Sequence, residues 1–276
     1  RSFVLDALFN KGPTMEAWVV TKLNMLFARL TKLGWYEDDR NQDVVEDAMK
    51  FVDAGTPAHS HLGYQMLTTL VTDMNTPTKN RALSDHRKTA ISFRDLVLLK
   101  IFQLAVRSLT HLQSLPQSPP VLVEALLSLS VACLSFDFVG TCFDESGEDM
   151  GSIQIPSNWR PLLEATSLIK MLIEIYTQQV SPTSSLAMEC LVRIASVRRS
   201  LFTGEQQRQA FLSQLVHGTL TIFMTQQGLS DHENYHNFCR LLGRLKTNYQ
   251  LNEIVAVDCY AEWINFVAQF TIQSLR

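Results

Sequence analysis

Two histidine pairs are the residues whose type and spacing could most readily support chemistry. His232 and His236 lie four positions apart, which places both imidazole rings on one face of a helix, where they could chelate a zinc ion. No third ligand accompanies them in the sequence. His59 and His61 are two positions apart, a spacing that splays side chains on a helix. We therefore predict no metal centre, and a helical, metal-dependent enzyme that uses His232 and His236 stays as an alternative.

Acidic residues gather in a segment near 139–158 that glycine and proline interrupt. Cys142, Asp144 and Glu145 could act as an acid–base site only inside a pocket, and a flexible acidic loop is the simpler interpretation. The sequence contains no glycine-rich phosphate loop, no His-Glu-x-x-His, no Cys-x-x-Cys and no nucleophile elbow. We predict no catalytic residue and no cofactor, and hence a protein that is not an enzyme.

Charge patterning points to protein partners. The formal net charge is −3, whereas proteins that bind nucleic acid by neutralising phosphates are usually basic. Basic residues concentrate between 79 and 107 and acidic ones between 131 and 153. Such polarity suits contacts with charged protein surfaces, although solvated helix faces are the plainer alternative. The predicted partner-binding residues are Asp144, Glu145, Glu148, Asp149, Arg198, Arg199, Arg240 and Arg244.

The arginines in this set differ in what their spacing allows. Arg198 and Arg199 are adjacent, so on a helix their side chains diverge by about 100°. One could therefore bridge to a carboxylate of a neighbouring repeat while the other faces a ligand. Arg240 and Arg244, with Lys246 nearby, follow one helical face and would form a basic strip.

Amphipathic helices of similar length must position these residues. Apolar residues recur at steps of three and four, as in Phe211, Leu215, Val216, Leu220 and Phe223. The tryptophans fall within such stripes, which favours core packing over base stacking. The predicted helices cover 2–10, 14–33, 41–54, 57–73, 83–92, 93–114, 119–136, 160–179, 182–200, 205–226, 232–249 and 252–275.

Polar signals mark several helix starts. Thr56-Pro57 and Ser181-Pro182 each place a capping hydroxyl before a proline. Thr203 with Gln206, and Ser230 with Glu233, have the spacing of a capping box. The apolar run 121–140 contains Glu124 and Asp137, so we predict a buried helix there and no membrane span.

A helix with one apolar stripe buries it by stacking on similar helices, and pairs of the predicted helices recur about every 40 residues. The predicted fold class is therefore all-α, an α-solenoid of HEAT/armadillo-like repeats forming a segment of a right-handed superhelix. We predict a single continuous array over 1–276 with about six helix pairs, interrupted by the acidic loop. Solenoids usually present binding surfaces, which agrees with the lack of catalytic motifs.

Several runs of sequence resemble one family of proteins. They include CLVRIASVRRSLF at 190–202, NYHNFCRLL at 234–242, ARLTKLGW at 28–35 and LSFDFVGT at 134–141. These runs occur in the same order as in the exportin-7 family of Ran-dependent nuclear transport receptors, which lies within the importin-β superfamily. The resemblance extends from near residue 26 to the end of the chain, and residues 105–125 match poorly. The chain looks like an internal portion from the N-terminal half of such a receptor.

The resemblance implies a HEAT-repeat superhelix that binds Ran in its GTP form together with protein cargo. It also implies that the receptor moves through the nuclear pore by contacting Phe-Gly nucleoporins. It implies a monomeric receptor that shuttles between nucleus and cytoplasm, with no direct contact to nucleic acid or membrane. Ran or cargo would then be the partner for the charged residues named above. The alternative is a non-catalytic α-solenoid scaffold in a stable complex that does not depend on the nucleotide bound to Ran.

Overall fold

The fold is all-α, as predicted, in this computed structural model, which describes residues 1–79, 81–139 and 152–274. Among the described residues, extended backbone pairs only at an isolated bridge between Ile153 and Val197. No described helix combines the length and apolarity needed to cross a bilayer. The helices are α1 (Ser2–Lys11), α2 (Ala17–Leu33), α3 (Val44–Asp53), α4 (Pro57–Asn75), α5 (Leu83–Phe93), α6 (Leu99–Ser114), α7 (Pro120–Leu134), α8 (Arg160–Glu164), α9 (Thr166–Gln178), α10 (Thr183–Ala195), α11 (Glu205–Thr225), α12 (His232–Asn248), α13 (Leu251–Val255) and α14 (Tyr260–Ser274).

Three predicted helices are shorter or more divided than their periodicity suggested. The helix expected over 160–179 is broken at Ala165, whose backbone is extended (φ −64°, ψ 117°). The one expected over 252–275 is two helices, α13 and α14. The one expected over 182–200 ends at Ala195, because the following backbone pairs with Ile153 and so cannot continue the helical hydrogen bonds.

The predicted caps were right in one of four cases. The Thr56 hydroxyl accepts a hydrogen bond from the His59 N–H at the start of α4. At α12 the cap is Asp231, one residue after the predicted Ser230, and its carboxylate accepts from the Asn234 N–H. Glu205 begins α11 with glycine at the cap, while the Thr203 hydroxyl instead accepts from Arg160. The Ser181 hydroxyl pairs with that of Ser185, and α10 begins at Thr183.

The chain divides into two compact units, Arg1–Thr141 and Cys142–Arg276. In the first unit, α4 is the central helix and packs against α2, α3 and α7. Helices α2, α4 and α7 form one layer, while α3 and α6 contact each other in a second. This alternation between two layers is the packing expected of helical repeats.

The second unit repeats the two-layer pattern. Helices α9 and α10 pack as a pair, α9 stacks on α11, and α10 stacks on α12. Helix α10 is buried over most of its surface, and α11 buries its whole predicted stripe. A helix that lies between two neighbours in this way buries apolar surface on several faces. Removal of that surface from water is the main favourable term in folding. The single array over 1–276 remains a prediction.

Helices α5 and α6 are continuous through a π-helical turn, Arg94–Leu98. The predicted break between 92 and 93 falls one residue before it. A π turn inserts one extra residue and so rotates the apolar stripe around the helix axis. The first half places Phe93 against Trp35, whose indole N–H donates to the Ser92 hydroxyl, and the second half packs α6 on α7.

Helix α2 has a second apolar face that its own unit leaves uncovered. Trp18 is 68% exposed, and Met25, Leu26 and Leu33 follow it on the solvent side. The prediction of core packing holds for the other tryptophans, which are buried, but is wrong for Trp18. The inner face of α2, which includes Phe27, already fills the space against α4, so the indole points outward.

A lysine is fully buried between α2 and the end of α4. The ammonium of Lys32 donates to the carbonyl oxygens of Asp73 and Thr76, each at 2.5 Å. It therefore gives a second partner to the Asp73 carbonyl, which already accepts from the Thr76 N–H, and bonds the Thr76 carbonyl just beyond the helix end. Burial lowers the pKa of Lys32 to about 8; the Asp73 carboxylate acts in the opposite direction, and Arg29 and Arg81 lower it further.

The lowered pKa predicts a pH dependence of stability. Lys32 binds its proton less tightly in the folded chain than in the unfolded one. Below pH 8 its buried positive charge therefore lowers the free energy of unfolding. That destabilisation is lost as pH rises from about 8 toward 10.5. Between pH 7.5 and 9.5, the free energy of unfolding of the wild-type chain should rise by about 2 kcal/mol relative to Lys32→Met. Urea unfolding of both proteins at the two pH values measures this difference. Parallel stability curves for the two proteins would contradict it.

Candidate functional site

The eight residues predicted to bind a partner fall into two groups. Asp144, Glu145, Glu148 and Asp149 lie outside the described residues. The four arginines lie in the second unit, on the turn after α10 and on α12. Each of Arg198, Arg199 and Arg240 contacts a different part of the chain, so the structure does not gather them around one point.

Arg198 lies beside the short segment that precedes α8. Its backbone N–H donates to the Ile153 carbonyl at 2.9 Å, and the Ile153 N–H donates to the Ser196 carbonyl at 2.6 Å. The guanidinium contacts the Ser152 hydroxyl and the Gln154 side-chain oxygen at 3.3 and 3.2 Å. Arg198 therefore holds the segment 152–154 against the turn after α10.

Arg199 is one of two arginines that share Glu253. The carboxylate of Glu253 accepts from Arg199 at 2.7 Å and from Arg208 at 2.6 Å. It also accepts from the Gln250 N–H at 2.9 Å, within a capping box at the start of α13. These bonds tie the turn after α10, helix α11 and helix α13 together. The Arg199 side chain remains 37% exposed.

The electrostatics of this cluster favour the ionised carboxylate. Burial alone would raise the pKa of Glu253, but the Gln250 N–H, the Arg208 hydrogen bond and the charges of Arg199 and Arg208 together lower it below the ordinary value. Tyr249, buried alongside, has its pKa raised by burial and by the Glu253 charge. Two guanidinium groups around one carboxylate leave one excess positive charge.

Arg240 belongs to a second cluster of the same composition. Its guanidinium donates to Glu189 at 2.6 Å, and Arg193 donates to the other carboxylate oxygen at 2.8 Å. Arg240 also contacts the Asn237 side-chain oxygen at 2.8 Å. The cluster joins α10 to α12. Arg244 lies one turn further along α12 and is half-buried, so the predicted basic strip continues along this face.

Both clusters can hold structure and bind an acidic partner at once. Charge-assisted arginine–carboxylate bonds are strong and directional, and each guanidinium has more donors than the shared carboxylate uses. The exposed parts of Arg199 and Arg240 are therefore available to a carboxylate from another protein. Among the described residues, the sequence-predicted bridge to a neighbouring element is made by Arg199, and Arg198 makes none to a carboxylate.

A groove lined by aromatic rings opens between α11 and α14. Phe223, Phe266 and Phe270 form its floor, with Phe223 and Phe266 stacked at 5.9 Å between ring centroids. Gln226, Gln269 and Gln273 complete its lining, and its volume is about 100 Å³. Such a surface suits an aromatic side chain, whose flanking backbone the glutamine amides can hydrogen-bond.

The histidines singled out in the sequence have different surroundings. His59 lies within 3.0 Å of the Phe9 carbonyl and 2.7 Å of the Thr56 hydroxyl, so both ring nitrogens are used locally. Burial lowers the pKa of His61, against a hydrogen bond from its ring to the Val121 backbone and the charge of Glu124, which both raise it. His232 and His236 are exposed on α12. In the described part of the chain, the one group of three possible metal ligands is His217, Asp258 and Cys259.

Sequence reasoning missed the carboxylates that organise the arginines. Glu189 and Arg193 are four apart, a spacing that could have flagged the first pair. Glu253 is 45 residues from Arg208, and no local pattern encodes that contact. The groove was also missed, because its rings come from helices that are separate in sequence.

Comparison with known proteins identifies the chain's relatives. No family model matches it. The chain aligns over its entire length with Ran-binding protein 16 of Drosophila melanogaster (40% identical over 290 residues), Exportin-7-A of Xenopus laevis (39% over 285) and human Ran-binding protein 17 (38% over 285). It spans about a quarter, 26%, of the length of each.

Identity near 40% over an alignment that covers the whole chain is far more than chance or a shared helical composition would produce. The runs that carried the resemblance in the sequence, including 190–202 and 234–242, form α10, the turn that holds Arg198 and Arg199, and α12. Over its whole length the chain is homologous to a region of exportin-7 and of Ran-binding proteins 16 and 17.

Proposed function

We propose that this chain is part of a nuclear export receptor that binds Ran-GTP and protein cargo and carries the cargo through the nuclear pore. The observation that carries the proposal is the identity of 38–40% over the whole chain with proteins named as exportins and Ran-binding proteins. The receptor is monomeric, works without a cofactor, and shuttles between nucleus and cytoplasm. It is not an enzyme: GTP hydrolysis takes place on Ran.

Helical repeats offer a physical route to coupled binding. Contacts between stacked helices are local, so small rotations at successive interfaces add up. If Ran-GTP and cargo favour the same curvature, each raises the affinity for the other by the same factor. Hydrolysis on Ran then removes one of the two stabilising partners, and the cargo is released.

Charged contacts would supply part of the Ran and cargo interfaces. The two arginine–glutamate clusters each keep an excess positive charge and a partly exposed guanidinium, which suits acidic patches on a partner. Asp144, Glu145, Glu148 and Asp149 would serve basic patches. Arg198 would act mainly by positioning the segment that follows those acidic residues.

The aromatic groove between α11 and α14 would receive phenylalanine side chains of Phe-Gly nucleoporins. Its floor is apolar and its lining includes three glutamines, a combination that binds an aromatic ring and leaves hydrogen-bond partners for the peptide around it. One shallow groove gives a weak, rapidly reversible contact, which is what passage through a pore requires.

A scaffold in a stable complex is the alternative function, and Ran's nucleotide distinguishes the two. The chain is titrated with Ran carrying a non-hydrolysable GTP analogue and with Ran carrying GDP, by calorimetry or anisotropy. Tighter binding of the GTP form supports the receptor. Equal affinities for both forms, or no binding of either, would favour the scaffold.

Charge reversal tests the arginines. The substitutions Arg240→Glu and Arg244→Glu should each lower the affinity for Ran-GTP or for cargo by about tenfold, because one favourable charge pair becomes a repulsive one. Arg107→Glu, on an exposed position of α6, makes the same change in net charge and should leave both affinities unchanged.

The stability of each variant must be measured alongside, since Arg240 also holds Glu189. Thermal unfolding and near-ultraviolet circular dichroism identify a variant that has lost its fold. Folded Arg240→Glu and Arg244→Glu proteins with wild-type affinity for both partners would exclude these residues from either interface.

The proposed role of the groove leads to a second, independent prediction, on the affinity for Phe-Gly peptides. Phe266→Ser removes one ring from the floor, and the affinity for a tandem Phe-Gly repeat peptide should fall about three- to tenfold, the worth of one aromatic contact. Ile272→Ser is the matched control, because Ile272 is exposed on the same helix and outside the groove. Fluorescence anisotropy of the labelled peptide measures both. Equal losses in the two variants would mean that the peptide does not use the groove.

A further inference from the structure

A cluster of three chemically different ligands lies where α14 meets α11. His217 is on α11, and Asp258 and Cys259 directly precede α14. One ligand atom from each residue lies within 4.8 Å of the other two. The imidazole Nε2 of His217 is 3.1 Å from the Asp258 carboxylate oxygen Oδ1. Nothing in the proposed transport function uses these three side chains.

The histidine is oriented as a metal ligand. Its Nδ1 lies 2.8 Å from the Ser213 carbonyl oxygen, which can only accept, so Nδ1 carries the proton of that hydrogen bond. In the neutral ring, Nε2 then directs its lone pair toward the Asp258 carboxylate. A cation bound between Nε2 and Oδ1 would satisfy both acceptors, as a proton on Nε2 also would. A backbone carbonyl that fixes the far nitrogen is the usual support of a metal-bound histidine.

We propose that His217, Asp258 and Cys259 bind a zinc ion. Zinc accepts nitrogen, oxygen and sulfur ligands in a tetrahedron at about 2.0–2.3 Å, which sets ligand-to-ligand distances of about 3.3–3.8 Å. The histidine and aspartate are already at that spacing or closer, and the Cys259 sulfur lies within 4.8 Å of both ligand atoms, so a side-chain rotation of Cys259 would complete the set. Three protein ligands leave the fourth position to water.

Zinc at this point would fasten α14 to α11. The other polar link between these helices is the bond of the Trp263 indole N–H to the Thr219 hydroxyl, at 2.9 Å. His217 and Thr219 are two residues apart on α11, and Cys259 and Trp263 are four apart across the start of α14. The metal would therefore reinforce an existing contact. His217 and Asp258 are largely exposed, so an ion can reach them from solvent.

The test combines zinc affinity with protection of the thiol. The whole chain is titrated with Zn²⁺ in competition with a chromophoric chelator, and alkylation of each cysteine is followed by mass spectrometry. We expect one zinc per chain and protection of Cys259 at stoichiometric zinc, while Cys239, exposed on α12, continues to react. His217→Ala and Cys259→Ser should each lower the zinc affinity at least tenfold.

A control and a second readout separate this site from others. The double variant His232→Ala/His236→Ala removes the other histidine pair and should bind zinc like the wild type. Asp258→Asn, which keeps the shape of the side chain, should weaken zinc binding without unfolding the chain. Zinc should also slow amide hydrogen exchange in α14 in the wild type only. Wild-type affinity in His217→Ala and Cys259→Ser, or loss of binding in the double histidine variant, would overturn the proposal.

Discussion

Burial of central helices on several faces is the constraint from which the rest of this structure follows. Helices α4 and α10 each lie between a partner in the other layer and neighbours in their own. A helix in that position has little room for charge, and any polar group within it needs a bonded partner. Lys32, on α2, is buried against α4 and donates to carbonyls at the end of that helix, and Asn234, on α12, is buried against α10 and donates its amide N–H to the Ser184 hydroxyl.

The same constraint moves charge to the helix ends and the connections between helices. Glu253 caps a short helix, and the arginines that share it come from a turn and from the first residues of α11. Glu189 joins two stacked helices through Arg193 and Arg240. These residues hold helices together, so mutating them would change stability, and under the proposed function it would change binding as well. The aromatic groove lies between α11 and α14, and its buried ring, Phe223, also packs the two helices together.

Periodicity was sufficient to predict the helices and their stacking, because burial of a stripe is a local property of sequence. The stripe of α11 is buried as predicted, and the predicted break at 92–93 fell beside a π turn, which shifts the stripe without ending the helix. The break at Ala165 has no sequence signal, since alanine favours helix. The pairing of Arg199 with Glu253, the approach of His217 to Asp258 and the exposure of Trp18 depend on contacts between distant segments, and no local pattern encodes them.

The outward face of α2 gives the chain a built-in optical label. Trp35, Trp159 and Trp263 are enclosed by protein, whereas Trp18 stands in solvent. A water-soluble quencher therefore reaches one indole well before the others, and the long-wavelength part of the emission comes mainly from the first unit. Whatever molecule covers that face shifts this emission to the blue, so its occupancy can be followed without any dye.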